Sequence, residues 1–325
     1  MSETGPSGFL VVDKPAGITS HDVVSVVRAL ARTRRVGHTG TLDPFATGVL
    51  PIALGSATRL IQFLDEGRKV YVATVELGTA TETGDGTGMV SATSEVPPVD
   101  RATLEAALDS LTGDLQQAPH PYSAVRINGR RLYEYTRAGE HVDIPTRPIH
   151  VYRWEVISHE DRRLQLRVEC SRGTYVRVLA EDLGRALGTH AHLSALRRER
   201  SGPFVLDAAV DMPALSELAA GRRDWQAVLR PERGEPRVVW KDRDAVALAV
   251  RAMVRAPLTG MAGRACVALD HIDLSRVRNG GTPPAPPDGV VPGEPYVLTH
   301  AGALVAVAAL AERGPRLLRV VPWSD

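Results

Sequence analysis

Apolar residues first cluster at positions 9–12, and the run stops at Asp13-Lys14-Pro15, which reads as a short strand ended by proline. Thr19, Ser20 and Asp22 then offer helix caps, and Val23, Val26, Val27 and Leu30 recur at helical spacing, predicting a helix to about residue 32. Residues 34–48 mix glycine, threonine and proline without any period and read as a long structured loop. A buried strand over 49–54 and a short helix over 58–64 follow. From 69 to 77 the chain alternates, with Val70, Val72, Thr74 and Glu76 set against Tyr71, Ala73, Val75 and Leu77. Residues 79–88 read as a Gly/Thr-rich loop and 102–111 as an amphipathic helix. The strands at 149–157 and 164–170 pair around His159-Glu160-Asp161, and 174–187 is helical. Composition shifts between 230 and 236. Beyond 238 come a loop at Gly280-Gly281-Thr282-Pro283-Pro284 and strands at 296–299, 304–310 and 317–321. The pattern predicts an α/β (α+β) fold: a mixed, largely antiparallel sheet with flanking helices over residues 8–232, then a small β-rich module over 233–325.

Composition narrows the function classes. A chain of 325 residues exceeds what most single cores support. The net charge of +1 gives no global pull toward nucleic acid, so any RNA contact must come from local clusters. One such cluster mixes Arg126, Arg130, Arg131 and Arg137 with Tyr122, Tyr133 and Tyr135, suiting phosphate binding beside base stacking. Arg34, Arg35, Arg172, Arg197 and Arg198 can extend a backbone-binding groove. Cys170 and Cys266 are too few for a disulfide framework and are expected to be reduced, inert core residues. There is no HExxH, His190 and His192 read as structural, and no metal is expected. The first six residues lack the apolar core of a secretory signal, and the run 303–310 is too short for a bilayer, so a cytoplasmic location is expected.

Asp43 stands in Gly40-Thr41-Leu42-Asp43-Pro44. The following proline disfavours helix at Asp43 and presents its carboxylate. On local chemistry alone, a turn aspartate is the better reading. The wider string Arg35-Val36-Gly37-His38-Thr39-Gly40-Thr41-Leu42-Asp43-Pro44-Phe45-Ala46-Thr47-Gly48-Val49-Leu50 changes that, because it matches the pattern GHxGxLDPxATGxL throughout. Here the chain resembles the TruB family of bacterial tRNA pseudouridine synthases. The resemblance continues at Asp13-Lys14-Pro15, Lys69-Val70-Tyr71, Tyr122-Ser123-Ala124-Val125, Gly129-Arg130-Arg131-Leu132-Tyr133, Cys170-Ser171-Arg172-Gly173-Thr174-Tyr175-Val176-Arg177 and Leu196-Arg197-Arg198. It departs at Val70, Arg126 and His190.

The resemblance implies a pseudouridine synthase fold with an RNA-gripping thumb over 118–147 and a PUA-like C-terminal domain. It implies isomerisation of the uridine at position 55 in the TΨC loop of tRNA, with the base flipped out of its stack. The roles it implies are Asp43 as nucleophile, Arg177 as the guanidinium that keeps it ionised, and Tyr71 against the target uracil. His38, Leu196, Lys14, Tyr175, Arg126, Arg130, Arg131, Arg172, Arg197 and Arg198 are implied to bind substrate. The chemistry suits a carboxylate, which can add covalently or stabilise a cationic sugar. Attack on the sugar or on the base remains open from the residues. No redox change or group transfer occurs, so no cofactor is expected. The partner is tRNA, met by a monomer without a membrane or an obligate protein partner. The alternatives are a synthase acting on other RNA, or an RNA-binding, tRNA-folding chaperone.

Overall fold

β1 (Gly8–Lys14) forms on the first apolar run, and Phe9, Leu10, Val11 and Val12 are all buried, as a strand covered on both faces requires. α1 (Ser20–Leu30) starts at the N-cap Thr19, whose side chain accepts from Asp22 N–H while the Asp22 carboxylate accepts from Thr19 N–H. This reciprocal box satisfies two otherwise orphaned amides, and Val23, Val24, Val26, Val27 and Leu30 supply the buried stripe. The computed structural model describes residues 6–64, 67–123, 125–234 and 238–321. The expected absence of a signal over residues 1–6 falls largely outside them. So do Ala124 of the Tyr122–Val125 motif and Pro236 at the composition change.

The chain continues through β2 (Val36–His38), β3 (Thr47–Leu54), a 3-10 helix (Gly55–Phe63), β4 (Arg68–Leu77), β5 (Thr79–Thr81) and β6 (Val90–Thr93). Then come α2 (Arg101–Ser110), β7 (Gly113–Gln117), β8 (Arg126–Ile127), β9 (Arg130–Arg131), α3 (Leu132–Arg137), β10 (Arg147–Glu160), β11 (Arg163–Ser171), α4 (Val176–Ala186) and β12 (Ala191–Ser201). The remaining strands and α-helices are β13 (Phe204–Val205), β14 (Val210–Asp211), α5 (Met212–Ala220), α6 (Trp225–Leu229), α7 (Arg243–Ala252), β15 (Cys266–Ala268), α8 (His271–Arg278), β16 (Pro295–His300), β17 (Ala303–Ala311) and β18 (Gly314–Val320), with two further 3-10 helices at Leu206–Ala208 and Pro257–Met261. Among the described residues no helix is long and apolar enough to cross a membrane.

Two units emerge, one of residues 1–44, 48–65 and 201–325, the other of 45–47 and 66–200. In the first, β1 lies between β14, its parallel partner, and β3, its antiparallel partner, with β2 beside β3. A four-stranded sheet, β15-β16-β17-β18, completes it, with β15 and β16 parallel and the other pairs antiparallel. Both faces of this small sheet are covered. Val297, Leu304 and Val307 join Phe9, Val11, Val49 and Leu60 in one core, while Tyr296, Leu298, Val305, Ala306 and Ala308 pack with Leu269 and Val277 in another. Gly8 permits the junction, since a Cβ there would lie 1.9 Å from the Arg255 carbonyl oxygen. Phe9 and Arg255 exchange backbone hydrogen bonds at 2.9 and 2.8 Å beside it.

In the second unit the strand order is β12-β4-β11-β10-β7. β4, β11, β10 and β7 pair antiparallel in succession. The alternation expected in β4 is present: Lys69, Tyr71, Ala73, Val75 and Leu77 are buried and their neighbours are not. Arg163–Glu76, Arg68–Glu169 and Arg167–Glu155 form ion pairs across neighbouring strands, and Arg167 also pairs with Glu199 on β12, beyond β4. Pairs this exposed contribute about 0–1 kcal/mol each, so they set register and solubility more than stability. The mixed, largely antiparallel sheet with flanking helices is therefore as expected. Three details differ. The stretch 34–48 contains β2, 79–88 opens with β5 paired to β6, and Cys266 is exposed rather than in a core.

Candidate active site

The Asp43 loop is braced on both sides of the carboxylate by the segment that leads into α1. Before Asp43, the buried Ser20 hydroxyl accepts from Leu42 N–H at 2.9 Å and donates to the Leu42 carbonyl at 3.1 Å. After it, the Pro44 carbonyl accepts from Gly17 N–H at 2.8 Å and from Lys14 Nζ at 3.2 Å. Lys14 also donates to the carbonyls of Pro15 and Ile18, at 2.9 and 2.8 Å. Its side chain is 0% exposed. An ammonium held among carbonyls inside the fold is a brace for this loop. Asp43 itself is half-buried and lies outside any helix or strand, between the buried Leu42 and the exposed Pro44. His38 is half-buried on β2, opposite Ile52 of β3.

In the second unit, Tyr175 is the N-cap of α4, and Gln117 at the end of β7 grips that residue twice. Gln117 Oε1 accepts from Tyr175 N–H at 2.7 Å, and its Nε2 donates to the Tyr175 carbonyl at 3.2 Å. This fixes the first turn of α4, where Arg177 sits 4% exposed. Arg177 donates to the Thr83 carbonyl at 2.7 Å and the Tyr122 carbonyl at 3.1 Å, and its Nη1 is 3.8 Å from Asp85 Oδ2. Asp85 is itself buried and accepts from the Thr83 hydroxyl at 2.8 Å and from Thr87 N–H at 3.0 Å. A guanidinium tied at several points keeps its orientation, and a carboxylate beside it compensates its charge. Arg177 is thus an internal group and not a surface arginine.

Tyr71 is buried on the inward face of β4, and β12 lies next to β4. On β12, Leu196 and Arg198 share the buried face, while Arg197 is half-buried and donates to the Thr47 hydroxyl at 3.3 Å. Arg198 is 0% exposed, an interior charge on the buried face of β12. Arg172 is exposed just before α4, and Arg34 and Arg35 are exposed before β2.

The Arg/Tyr cluster folds into the β8–β9 hairpin and α3. Arg130 stacks over Tyr135 at 4.5 Å and pairs with Glu140 at 2.7 Å. Arg131 and Arg137 flank Tyr133 at 5.8 and 5.4 Å, and Arg126 donates to the Gly129 carbonyl at 2.6 Å. Cation–π pairs of this kind hold the arginines and rings in one layer. The fold thus brings Lys14 to the Asp43 loop, and Tyr175 to Arg177, while Arg126, Arg130 and Arg131 form a separate cluster. Sequence reasoning missed Ser20 as a brace, Gln117, Asp85 and His120. Their partners Leu42, Tyr175 and Arg177 lie far along the chain, 22 residues away for Ser20, 58 for Gln117 and 57 for His120. Each is a polar residue that the fold buries, which no local pattern in the sequence signals.

A model of the TruB family pseudouridylate synthase N-terminal domain matches residues 28–176, and one of the tRNA pseudouridylate synthase B C-terminal domain matches 177–231. The tRNA pseudouridine synthase B of Aromatoleum aromaticum is 48% identical over 216 residues, covering 66% of this chain and 70% of that protein. That of Geobacillus kaustophilus is 43% identical over 274 residues, covering 80% and 95%. Among solved structures, a chain of a Cbf5-Nop10-Gar1 complex has a TM-score of 0.68 at 26% identity, covering 98% of this chain and 84% of that one. A chain of the archaeal box H/ACA sRNP Nop10-Cbf5 complex reaches 0.69 at 22% identity, covering 98% and 88%, a likeness of fold alone.

Proposed function

Because the chain belongs to the TruB family of pseudouridylate synthases, we propose that it is an isomerase converting uridine to pseudouridine in tRNA, at position 55 of the TΨC loop. The observation that carries this is the 43% identity to a tRNA pseudouridine synthase B across 95% of that protein's length. The reaction breaks the C1′–N1 bond of the uridine, turns the base and joins C1′ to C5. The proton on C5 is released and N1 ends protonated, so product and substrate are isomers and nothing is oxidised.

Asp43 is the carboxylate that carries the sugar or base through this rearrangement, Arg177 the guanidinium that favours its ionised form, and Tyr71 the ring set against the uracil. Support for Asp43 comes from its motif string and from the paired braces on Leu42 and Pro44, which suit a group that must hold one position. His38 and Leu196 hold the flipped nucleotide, and Tyr175 lines its approach. The exposed arginines Arg126, Arg131 and Arg172, with Arg130 and Arg197, take phosphates, the first three by position and the others on rearrangement of their present contacts. Residues 118–147 act as a thumb on the TΨC stem-loop. A catalytic module over 8–232 is followed by a PUA-like module over 233–325. The enzyme works in the cytoplasm as a monomer with no obligate protein partner.

The test is incubation of purified protein, alone, with a tRNA transcript free of modification, followed by site-resolved mapping. Pseudouridine at position 55 and nowhere else is expected. An unmodified position 55 removes the proposal, and modification that needs added proteins points instead to a partner-guided enzyme.

A further inference from the structure

At the base of the 118–147 insertion, a buried histidine faces Arg177. His120 is 4% exposed, and its Nδ1 accepts from Tyr122 N–H at 3.1 Å while lying 3.4 Å from Arg177 Nη1. Its Nε2 is 3.4 Å from Glu181 Oε1. Two N–H groups directed at Nδ1 require that nitrogen to be the acceptor, which puts the ring hydrogen on Nε2, the side of Glu181. Arg177 and Glu181 are four residues apart on α4 and so project from one face of the helix. Arg177 also donates to the Tyr122 carbonyl at 3.1 Å. One residue of the insertion, Tyr122, therefore offers its N–H to His120 and its carbonyl to Arg177.

Gly84 closes the arrangement. It sits at φ +67°, and a Cβ there would lie 2.7 Å from Glu181 Oε1 and 3.0 Å from His120 Nε2. The positive φ and these close approaches favour glycine where the loop that gives Arg177 its Thr83 carbonyl packs against the His120–Glu181 pair. The groups facing His120 are thus Arg177 and Glu181 from α4, the Tyr122 peptide from the insertion, and Gly84 from the loop.

We propose that His120, oriented by Glu181, is a positioning residue that ties the base of the RNA-gripping insertion to Arg177, so that engagement of RNA by the insertion fixes the guanidinium for the reaction. This rests on the reading of Arg177 as the partner of Asp43. His120 touches neither substrate nor the reacting atoms. Its work is to give Arg177 and Tyr122 one shared, rigid acceptor. A displacement of about 1 Å at a reacting group costs on the order of 100-fold in rate, which sets the size of the effect.

The experiment compares wild type, His120→Leu, His120→Asn and Glu181→Gln in the full-length protein. It measures single-turnover pseudouridine formation, tRNA affinity, and the guanidinium NMR signals of Arg177. His120→Leu is expected to lower the rate constant about 100-fold, to change tRNA affinity little, and to free rotation of the Arg177 guanidinium. His120→Asn keeps an acceptor near Nδ1 and recovers most of the loss, whereas a merely structural role would give no such rescue. Glu181→Gln falls between them. An unchanged rate constant together with an unchanged Arg177 signal in His120→Leu overturns the proposal. A freed Arg177 with an unchanged rate would leave the positioning intact and instead remove the assigned role of Arg177. Should the variants fail to fold, 15N shifts of the wild-type ring decide the matter, because a hydrogen on Nδ1 contradicts the arrangement outright.

Discussion

Ser20→Ala is the perturbation that probes the Asp43 loop most cleanly, because it removes one oxygen and adds no bulk. That oxygen serves both polar groups of Leu42's backbone, and both hydrogen bonds are buried. Leaving a buried donor or acceptor unsatisfied costs about 1–3 kcal/mol each, so the substitution should destabilise the protein by roughly 2–6 kcal/mol. At the 2–4 °C per kcal/mol typical of larger domains, the melting temperature should fall by about 4–24 °C. Leu42 is joined directly to Asp43, and its release lets the carboxylate drift, with a loss of about 100-fold in the single-turnover rate. The assay is release of tritium from C5 of the target uridine, which is lost when C5 bonds to C1′. Melting is followed in parallel, and tRNA binding should stay near wild type. Wild-type stability with a wild-type rate would refute the idea that Ser20 holds the loop. Lost stability with an unchanged rate would refute only its link to Asp43.

Other outcomes follow from individual groups. A thiol reagent at pH 8 should modify the exposed Cys266 and leave Cys170 untouched in folded protein, because burial pushes the Cys170 thiol up to about 12; peptide mass spectrometry reads the ratio. Partial burial raises the Asp22 carboxyl, but its hydrogen bonds from Thr19 and the nearby charges of Arg230 and His21 outweigh this and hold it below the ordinary value. A lowered folded pKa contributes stability above the unfolded value of about 4, and that stability is lost as pH falls through the folded pKa. The difference in melting temperature between wild type and Asp22→Asn should accordingly be largest near neutrality and shrink in acid. Arg131→Ala should weaken tRNA binding and reduce the slope of log affinity against log salt by about 1, measured by fluorescence titration across salt concentrations.

The elements that could be read from the chain were those whose own residues carry the period. β4 alternates, α1 has its caps and valine stripe, and β10 with β11 brackets a polar turn. β12 escaped because Arg197, Arg198, Glu199 and Arg200 look like a solvated run, and nothing local says that Arg198 is wholly buried. β2 is three residues long, and its existence depends on pairing with β3 across the Asp43 loop. In the C-terminal region α7 and α8 were hidden by the glycines and prolines around them, although Val246, Ala247 and Val250 do mark a buried stripe on α7. The site divides in the same way. A continuous motif exposes Asp43, and a second one exposes Arg177. Ser20, Gln117 and His120 act through partners brought close only by folding, and a single sequence carries no mark of that.

The proposed reaction turns on Asp43 as the catalytic carboxylate. The most direct measurement is site-resolved mapping of pseudouridine in an unmodified tRNA transcript after incubation with the Asp43→Asn protein, beside wild type, with tRNA binding measured on the same samples. The substitution keeps the size of the side chain and removes its charge and nucleophilicity. If Asp43 carries the reaction, tRNA binding stays close to wild type and no pseudouridine forms at position 55. Pseudouridine there at the wild-type rate would contradict the claim.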